Sequence, residues 1–402
     1  MLFRMISLVL ILSFGSIVLV QANGSTDAKE VLAKRGLSFE LSEKFDYVNV
    51  YKGGLVQKDT VVGLAEIGLT LDTQKAGLWT GGEFYVHGTN VHGGLKPTGE
   101  LVGDLQGVNN DEGPRTTRLY EAWYQHHLFE DRLAILAGLH DLNADFMVSE
   151  YAGLYLNGAF GVPTTLTANV GASVYPLAAP AARIKVKPIE NLEILAGIYD
   201  GDPGDADINE HSTHIALKSQ DGLLSIGEIG WHYRLPINKE LSGFIKAGAW
   251  HHSGRFEDVS AVDENGDALP YDDNYGGYVI IDQKLYREKD EQGLGVFFMG
   301  SGAPQNRNTV DRHIAAGFNY TGLIPTRDAD VSGIAFTSSS FSNKQRASTG
   351  FKRAETSIEG TYQIKISDNI SLQPDIQYVM CPSGDPAIKN ASVFSLRTEI
   401  SF

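Results

Sequence analysis

The property that most constrains this chain is a strict alternation of apolar and polar residues along unusually long segments near its end. In the final segment one face carries Phe394, Leu396, Thr398, Ile400 and Phe402, and the other carries Ser395, Arg397, Glu399 and Ser401. Successive side chains of a β-strand point to opposite faces, so this pattern predicts a strand with one apolar side. The two preceding segments, 358–366 and 370–380, repeat the alternation.

The length of these segments indicates where such strands reside. Strands of soluble sheets average about five or six residues, whereas a tilted strand that crosses a bilayer needs about 9–11. The three segments reach the longer value, and alternation returns upstream at 61–70, 183–187 and 228–235. The pattern predicts an all-β fold, a transmembrane antiparallel β-barrel. Pro374 interrupts one strand and predicts a bulge or weak point there.

Connections of two sizes largely alternate along the chain. Short polar turns are predicted at 72–76, 129–132, 236–240, 287–292 and 367–369, and long loops rich in Gly, Asp and Asn at 89–115, 141–163, 252–276 and 301–311. Short periplasmic turns and longer outer loops are typical of outer-membrane barrels, whose strand number is even in bacteria. The segments predict 16 strands, with 18 as the alternative.

The first 35 residues are predicted to lie outside the barrel. Residues 1–22 have the features of a secretory signal peptide, with Arg4, an apolar stretch at 6–20 and a small residue at Ala22 before the cleavage point. A single membrane anchor is the alternative, but polar residues follow at once. Residues 23–35 are predicted to form a short periplasmic segment with two helical turns, ended by Gly36. Residues 36–402 then form one barrel domain.

Composition excludes several classes of partner. The net charge of -16 disfavours nucleic acid, which is bound by positive surfaces. A single cysteine, Cys381, allows no disulfide within the chain. Adjacent histidines such as His126 and His127 point to opposite faces of a strand, and the acidic run at 200–207 lacks the final glutamate of an EF-hand. We therefore expect no metal and no cofactor.

The chain ends inside its last predicted strand. Phe402 is its final residue, and a terminal aromatic residue on an alternating strand is typical of the assembly signal of outer-membrane barrels. We therefore expect a multi-pass barrel in the outer membrane of a Gram-negative bacterium. Outer-membrane lipid and the barrel-assembly machinery are its expected partners.

Several ordered stretches resemble one known family. They are Arg-Leu-Tyr-Glu-Ala-Trp-Tyr at 118–124, Gly-Leu-His-Asp-Leu-Asn at 138–143, Asn-Gly-Ala-Phe-Gly at 157–161, Ser-Val-Tyr-Pro at 173–176 and Gly-Ile-Tyr-Asp-Gly-Asp-Pro-Gly at 197–204. In order and spacing the chain resembles the carbohydrate-selective porins of the OprB type, over nearly all of its predicted mature length. No single stretch is as specific as a metal-binding signature, but the ordered set is.

The resemblance implies a barrel of 16 strands, monomeric or loosely oligomeric, for passive uptake of small sugars such as glucose. It also implies that the pore narrows where the second and third outer loops fold inward. These loops correspond to 89–115 and 141–163.

Candidate solute contacts follow from strand parity and from the chemistry of sugars. A diffusion channel needs a polar lumen and weak binding sites, and carboxylates, guanidinium groups and aromatic rings suit sugar hydroxyls and their apolar faces. The candidates are Arg118, Glu121, Trp123, Asp141, Asn143, Asp145, Glu150, Arg183, Lys185 and Lys187. Parity places Arg118 on the opposite face from Glu121. The competing interpretation is that such charges pair with one another and stabilise the wall.

Three other functions are alternatives for such a barrel. A general non-selective porin is the main alternative. A structural or adhesive barrel needs a plugged lumen and long loops, whereas the loops here are moderate. An enzymatic barrel needs a serine, a histidine and an orienting group within hydrogen-bonding reach, and no nucleophile motif stands out. The sequence therefore predicts a channel and not an enzyme.

Overall fold

A computed structural model describes the chain from Ser25 to Phe402, apart from positions 207, 216, 219 and 290. The predicted signal peptide, 1–22, lies outside the described residues. The first element is helix α1 (Ser25–Lys34). It ends before Gly36, whose φ of 83° is readily adopted by glycine. This confirms the predicted N-terminal helical segment.

Eighteen strands follow in the described part of the chain, and sixteen of them close into a barrel. In chain order they are β1 (Leu37–Gly54), β2 (Asp59–Asp72), β3 (Gly82–Gly93), β4 (Thr117–Leu128), β5 (Leu133–His140), β6 (Ala179–Ile189), β7 (Leu192–Asp200), β8 (Leu223–Leu235), β9 (Asn238–His252), β10 (Phe256–Val262), β11 (Ala268–Tyr271), β12 (Asn274–Arg287), β13 (Gly293–Gly302), β14 (Val310–Thr321), β15 (Val331–Phe341), β16 (Ala354–Lys365), β17 (Ile370–Met380) and β18 (Lys389–Ser401).

Each barrel strand pairs antiparallel with its neighbours in the chain, and β1 closes the barrel against β18. Strands β10 and β11 form a separate hairpin in the connection between β9 and β12. The sixteen-strand prediction is therefore confirmed. The ladder between β16 and β17 lacks the pairs opposite Gln373 and Pro374, because proline has no N–H to donate.

Within the residues that the structure describes, two further helices lie in connections, α2 (Thr164–Thr167) and α3 (Asn343–Thr349). Single helical turns occupy Pro97–Val102, Leu142–Ala144, Ala152–Leu154, Gly158–Phe160 and Pro382–Gly384. Among the described residues, none of the helices has the length and apolarity that a membrane crossing requires.

The outer wall of the barrel is apolar, as the alternation predicts. On β6, Ile184 is 45% exposed, whereas Arg183 beside it is 5% exposed and points into the lumen. Exposed apolar residues recur on the same outward face of other strands, for example Ile67, Phe298 and Ile358. Such a surface matches the lipid-facing band of a membrane barrel.

The two rims of the barrel differ in their connections. The rim that carries the start of β1 and the end of β18, here called the terminal rim, has short turns such as 129–132 and 190–191. The opposite rim, the loop rim, carries loop L2 (94–116) and loop L3 (141–178). Both differ in extent from the prediction. Thr89 and Asn90 are polar yet belong to β3, and L3 continues past 163 as packed turns and helix α2.

Loops L2 and L3 fold into the lumen and build apolar cores there. Residues of L3 that include Phe146, Tyr155 and Phe160 pack against the wall residues Trp250 and Phe297 in one buried cluster. Burying a large apolar side chain contributes about 1.5–3 kcal/mol, so this cluster fixes L3 against strands β7 to β15.

Loop L2 packs against a different part of the wall. Its residues Leu101, Val102 and Val108 form a second buried cluster with wall residues that include Val48 and Val393. These wall residues belong to β1 and β18, the strands that close the barrel. The two loops are thus anchored on separate arcs of the lumen wall.

Candidate functional site: a narrowed pore

Wall carboxylates hold the infolded loops by accepting hydrogen bonds from their backbone. Glu359 on β16 accepts from the backbone N–H of Leu156 at 2.5 Å and of Asn157 at 3.1 Å. Glu355, four residues earlier on the same face of β16, accepts from the N–H of Gln106 at 2.8 Å. Irregular backbone inside a barrel has no ladder partner, and a charged acceptor satisfies it strongly.

Carboxylates on the strands opposite β16 also accept hydrogen bonds from the infolded loops. Asp282 on β12 accepts from Ser149 Oγ at 2.6 Å and from the N–H of Glu150 at 3.2 Å. Glu228 on β8 accepts from the N–H of Met147 at 3.0 Å. Part of the acidic excess of this chain therefore holds L2 and L3 in place.

Loops L2 and L3 also bind each other. The N–H of Asn110 in L2 donates to the carbonyl of Leu156 in L3 at 2.8 Å, and the N–H of Gly158 donates to the carbonyl of Gly107 at 2.7 Å. The Tyr175 hydroxyl donates to the Asp111 carbonyl at 2.9 Å. The two loops thus form one infolded unit that narrows the lumen.

The tip of L2 is held by a buried ion cluster. Arg397 on β18 donates to both carboxylate oxygens of Asp46 on β1, at 2.8 and 2.7 Å. Its Nη2 also lies 2.8 Å from Asp111 and donates to Asn110 Oδ1 at 2.8 Å. A planar guanidinium is suited to several carboxylates at once, so Arg397 joins the barrel closure to L2.

The lumen wall of β1 to β4 carries a chain of alternating charges. Lys44 Nζ lies 3.1 Å from Glu66, and the other oxygen of Glu66 lies 3.4 Å from His87. His87 in turn lies 3.7 Å from Glu121. The side chains of Lys44 and Glu66 are each 22% exposed, so they face open lumen. Lys44, Glu66 and His87 were absent from the predicted set, although their position in the alternation was available.

Glu121 and Asp141 are brought together by the fold. The N–H of Asp141 donates to Glu121 Oε1 at 3.0 Å, and the Tyr120 hydroxyl donates to Asp141 Oδ2 at 2.6 Å. Burial raises the pKa of Asp141 to about 6, against the lowering effect of the Tyr120 hydrogen bond. The Trp123 ring packs at 5.0 Å from the ring of Tyr85. Glu121 and Asp141 thus position the start of L3.

Arg183 and Asp145 form an ion pair between wall and loop. Arg183 donates through Nε to Asp145 at 2.7 Å and through Nη2 to Gln125 Oε1 at 2.8 Å. His140 Nε2 lies 3.3 Å from the same carboxylate. Burial would raise the pKa of Asp145, but the His140 hydrogen bond and the charge of Arg183 outweigh it and lower this pKa.

The remaining candidates in the pore region have separate surroundings. Asn143 donates through Nδ2 to the carbonyls of Phe146 and Gly161, at 3.0 and 3.3 Å, and so shapes L3. Glu150 is exposed. Lys185 and Lys187 pair with one carboxylate, Glu193 on β7, at 3.3 and 3.1 Å.

A bulge changes the expected direction of Arg118. The register between β3 and β4 shifts, so His87 pairs with Glu121 and Thr89 pairs with Arg118, while Tyr120 is left over. Parity alone therefore assigned Arg118 to the wrong face, because one extra residue reverses the alternation. Its guanidinium binds Ser212 Oγ of the loop after β7 at 2.6 Å, apart from the other candidates.

Comparison with known proteins decides the family. The family of carbohydrate-selective porins, OprB family, matches residues 57–402. The chain belongs to this family. Its members' fold and the closed barrel described above are those of a channel rather than an enzyme, and they place the protein in the bacterial outer membrane.

Individual relatives of this OprB-family chain are distant. QuiX, described as a porin, from Acinetobacter baylyi is 20% identical over 411 residues, covering 93% of this chain and 91% of QuiX. Porin B of Pseudomonas aeruginosa is 20% identical over 372 residues, covering 84% of this chain and 80% of Porin B. The high-pH structure of Pseudomonas putida OprB superposes with a TM-score of 0.85 at 19% identity, covering 94% of this chain and 97% of that one. This likeness confirms the fold.

Proposed function

We propose that this OprB-family barrel is a passive diffusion channel for small carbohydrates such as glucose. The observation that carries the proposal is the lumen that L2 and L3 narrow against a wall of alternating acids and bases. Paired charges of both signs present donors and acceptors to hydroxyl groups without a strong net attraction for either ion. A neutral, hydroxyl-rich solute is suited to such a surface, and weak multiple contacts let it leave again. Passage requires no chemical step at any residue.

We further propose that the candidate residues divide into solute contacts and residues whose pairing holds the loops against the wall. Trp123, Asn143, Glu150, Lys185 and Lys187 keep part of their surface open and are proposed to contact the solute. The others are proposed to set the width of the pore through their pairing: Arg118, Glu121 and Arg183 are buried, and Asp141 and Asp145 are partly buried and bound to wall side chains. Their partners described above support this division.

The remaining parts of the chain complete the proposal. Residues 1–22 are proposed to be a signal peptide that is removed on export, 23–35 a short periplasmic segment, and 36–402 the barrel. Phe402 is proposed to serve as the signal read by the barrel-assembly machinery. The barrel is proposed to work as a monomer or a loose oligomer.

Liposome swelling tests the function. Purified protein would be reconstituted, and swelling rates compared for glucose, larger maltodextrins and amino acids of similar size to glucose. We expect glucose to enter faster than its size predicts. Rates ordered by size alone would favour the general porin instead, and an absence of swelling would exclude a channel.

A further inference from the structure

A cavity of about 370 Å³ opens on the lumen side of the terminal rim, beside the wall of β1 to β3. Its lining includes Glu40, Ser42, Glu66, Tyr85, Asn369 and Glu399. None of these residues is among the candidates discussed above as solute contacts from the sequence. The cavity lies below the infolded loops, on the side from which the chain ends emerge.

We propose that this cavity is a binding site for one neutral monosaccharide at the terminal end of the pore. The proposal rests on the proposed function, because a sugar must first pass L2 and L3 to reach it. Its chemistry, however, is carried by a separate set of residues.

The first element of the site is an aromatic surface. A Cβ placed on Gly68 would stand 3.1 Å from the Tyr85 hydroxyl oxygen and 3.4 Å from a ring carbon. The Tyr85 ring therefore lies against the wall where glycine leaves room. The Trp123 ring is 5.0 Å from the Tyr85 ring and tilted by 34°. Tyr85 stays partly exposed beside these two neighbours, and its open part presents an apolar surface at which the C–H face of a sugar packs.

The second element is a surplus of hydrogen-bond acceptors. Among the described residues, the carboxylates of Glu40 and Glu399 accept no hydrogen bond, and both line the cavity. Glu66 already accepts from Ser42 Oγ at 3.0 Å and pairs with Lys44. A carboxylate with free lone pairs can accept several hydrogen bonds, and the hydroxyl groups of a sugar can donate them.

The third element is the sign of the charge. Three carboxylates and His87 line this cavity; His87 and the neighbouring Lys44 both pair with Glu66, whereas Glu40 and Glu399 have no ion pair among the described residues. Like charges repel, so an anionic sugar acid is disfavoured, whereas a neutral polyol meets acceptors for its hydroxyl protons. Ligand cavities span about 300–1,000 Å³, and a cavity at the lower limit suits one sugar ring rather than a chain of them.

The site is tested by single-channel current in planar bilayers with the full mature protein. Glucose that occupies the pore reduces the ion current, and its half-saturating concentration reports its binding. Tyr85→Ala removes the aromatic surface, and we expect the half-saturating concentration to rise roughly 3–10-fold, as for the loss of one aromatic contact. Tyr85→Phe keeps the ring and is expected to stay close to wild type. Glu40→Gln is expected to admit gluconate, an anionic analogue, better than wild type does.

Phe84→Ala is the matched control, because Phe84 is the next residue on β3 and faces outward. It should bind glucose like wild type. Unchanged glucose binding in Tyr85→Ala would overturn the site while leaving the proposed function intact. Equal weakening in Tyr85→Ala and Phe84→Ala would overturn it as well, since the effect would then come from the fold of β3. A wild-type current that glucose never reduces, together with size-ordered swelling, would remove the proposed function itself. Resistance of each variant to unfolding in detergent on unheated gels shows that the barrel has formed.

Discussion

The lumen wall has two contrasting parts. On β7 to β15 the inward-facing side chains include Tyr199, Trp250 and Phe297, which are buried under L3. On β1 to β6 the inward-facing side chains include Glu66 and Arg183, which form ion pairs. The outer faces of both parts are alike, because both meet lipid.

This difference shows that the lumen wall becomes apolar where the apolar side chains of a loop pack on it. Where a loop covers the wall, the wall residues become the second half of a hydrophobic core, as in a soluble protein. Where no loop covers the wall, charges remain and define the pore. Buried carboxylates of the wall, such as Glu359 and Asp282, accept hydrogen bonds from the loop where it lies on the wall.

In the apolar part of the wall, we expect Phe297→Ala to weaken the packing of L3 most strongly. Phe297 is 3% exposed and packs at 5.7 Å from Tyr155 and 5.9 Å from Phe160. Loss of a buried phenylalanine costs about 3–5 kcal/mol, so we expect L3 to loosen, with a lower thermal midpoint and a larger, noisier conductance. Phe298→Ala, the neighbouring lipid-facing residue at 40% exposure, is the control. Equal effects of the two variants would show that L3 is not held by this core.

The next effect is expected from Glu359→Ala. This change leaves the N–H groups of Leu156 and Asn157 buried without their acceptor, at a cost of about 1–3 kcal/mol for each buried group left unpaired. Conductance should rise as L3 detaches from β16, and protease should cut within L3. Glu359→Gln retains one acceptor oxygen and should fall between wild type and Glu359→Ala. An unchanged protease pattern would argue against the anchor.

In the charged part, Arg183→Ala is expected to change ion selectivity and to have only a small effect on stability. Its removal deletes a positive charge from the narrowed region and leaves Asp145 with His140 alone. We expect the reversal potential in a salt gradient to shift toward greater cation preference. Lys187→Ala, near the same row but with a more exposed pair, should shift it less. A shift toward anions would refute this assignment.

The smallest effect concerns pH and the start of L3. The pKa of Asp141 is raised to about 6 by burial, above the ordinary value of about 3.9. Between these two pKa values Asp141 is protonated in the folded protein but ionised in the unfolded chain. The folded state is therefore destabilised relative to the unfolded state as the pH rises from ~4 to ~6. Asp141→Asn has no such loss. Its thermal midpoint relative to wild type should therefore increase from pH 4 to pH 6 and then level off; a constant difference would contradict the raised pKa.

Several features could be read from local pattern because each depends on one strand and its neighbours in sequence. The sixteen-strand barrel and the helix before β1 are of this kind. So is the inward direction of Glu121 and Arg183. Lys44, Glu66 and His87 follow the same parity, but their ion pairs join three strands, and the alternation of a single strand does not show them.

Other features depended on contacts between distant segments. The bulge at Tyr120 reverses the direction of Arg118, and nothing in the local alternation marks it. The full extent of L3 is set by packing against walls that lie more than a hundred residues further along the chain, such as Phe297.

The sequence by itself determined that this chain is a barrel, where most of its strands run and which face of each meets lipid. Every lipid-facing position must be apolar, so the alternation along each strand shows which residues face lipid. Only the tertiary structure decided which lumen residues face water and which are covered by L2 and L3. The physical reason is that the residues next to an inward-facing position in the sequence do not show whether a loop covers it, because that loop comes from a distant part of the chain.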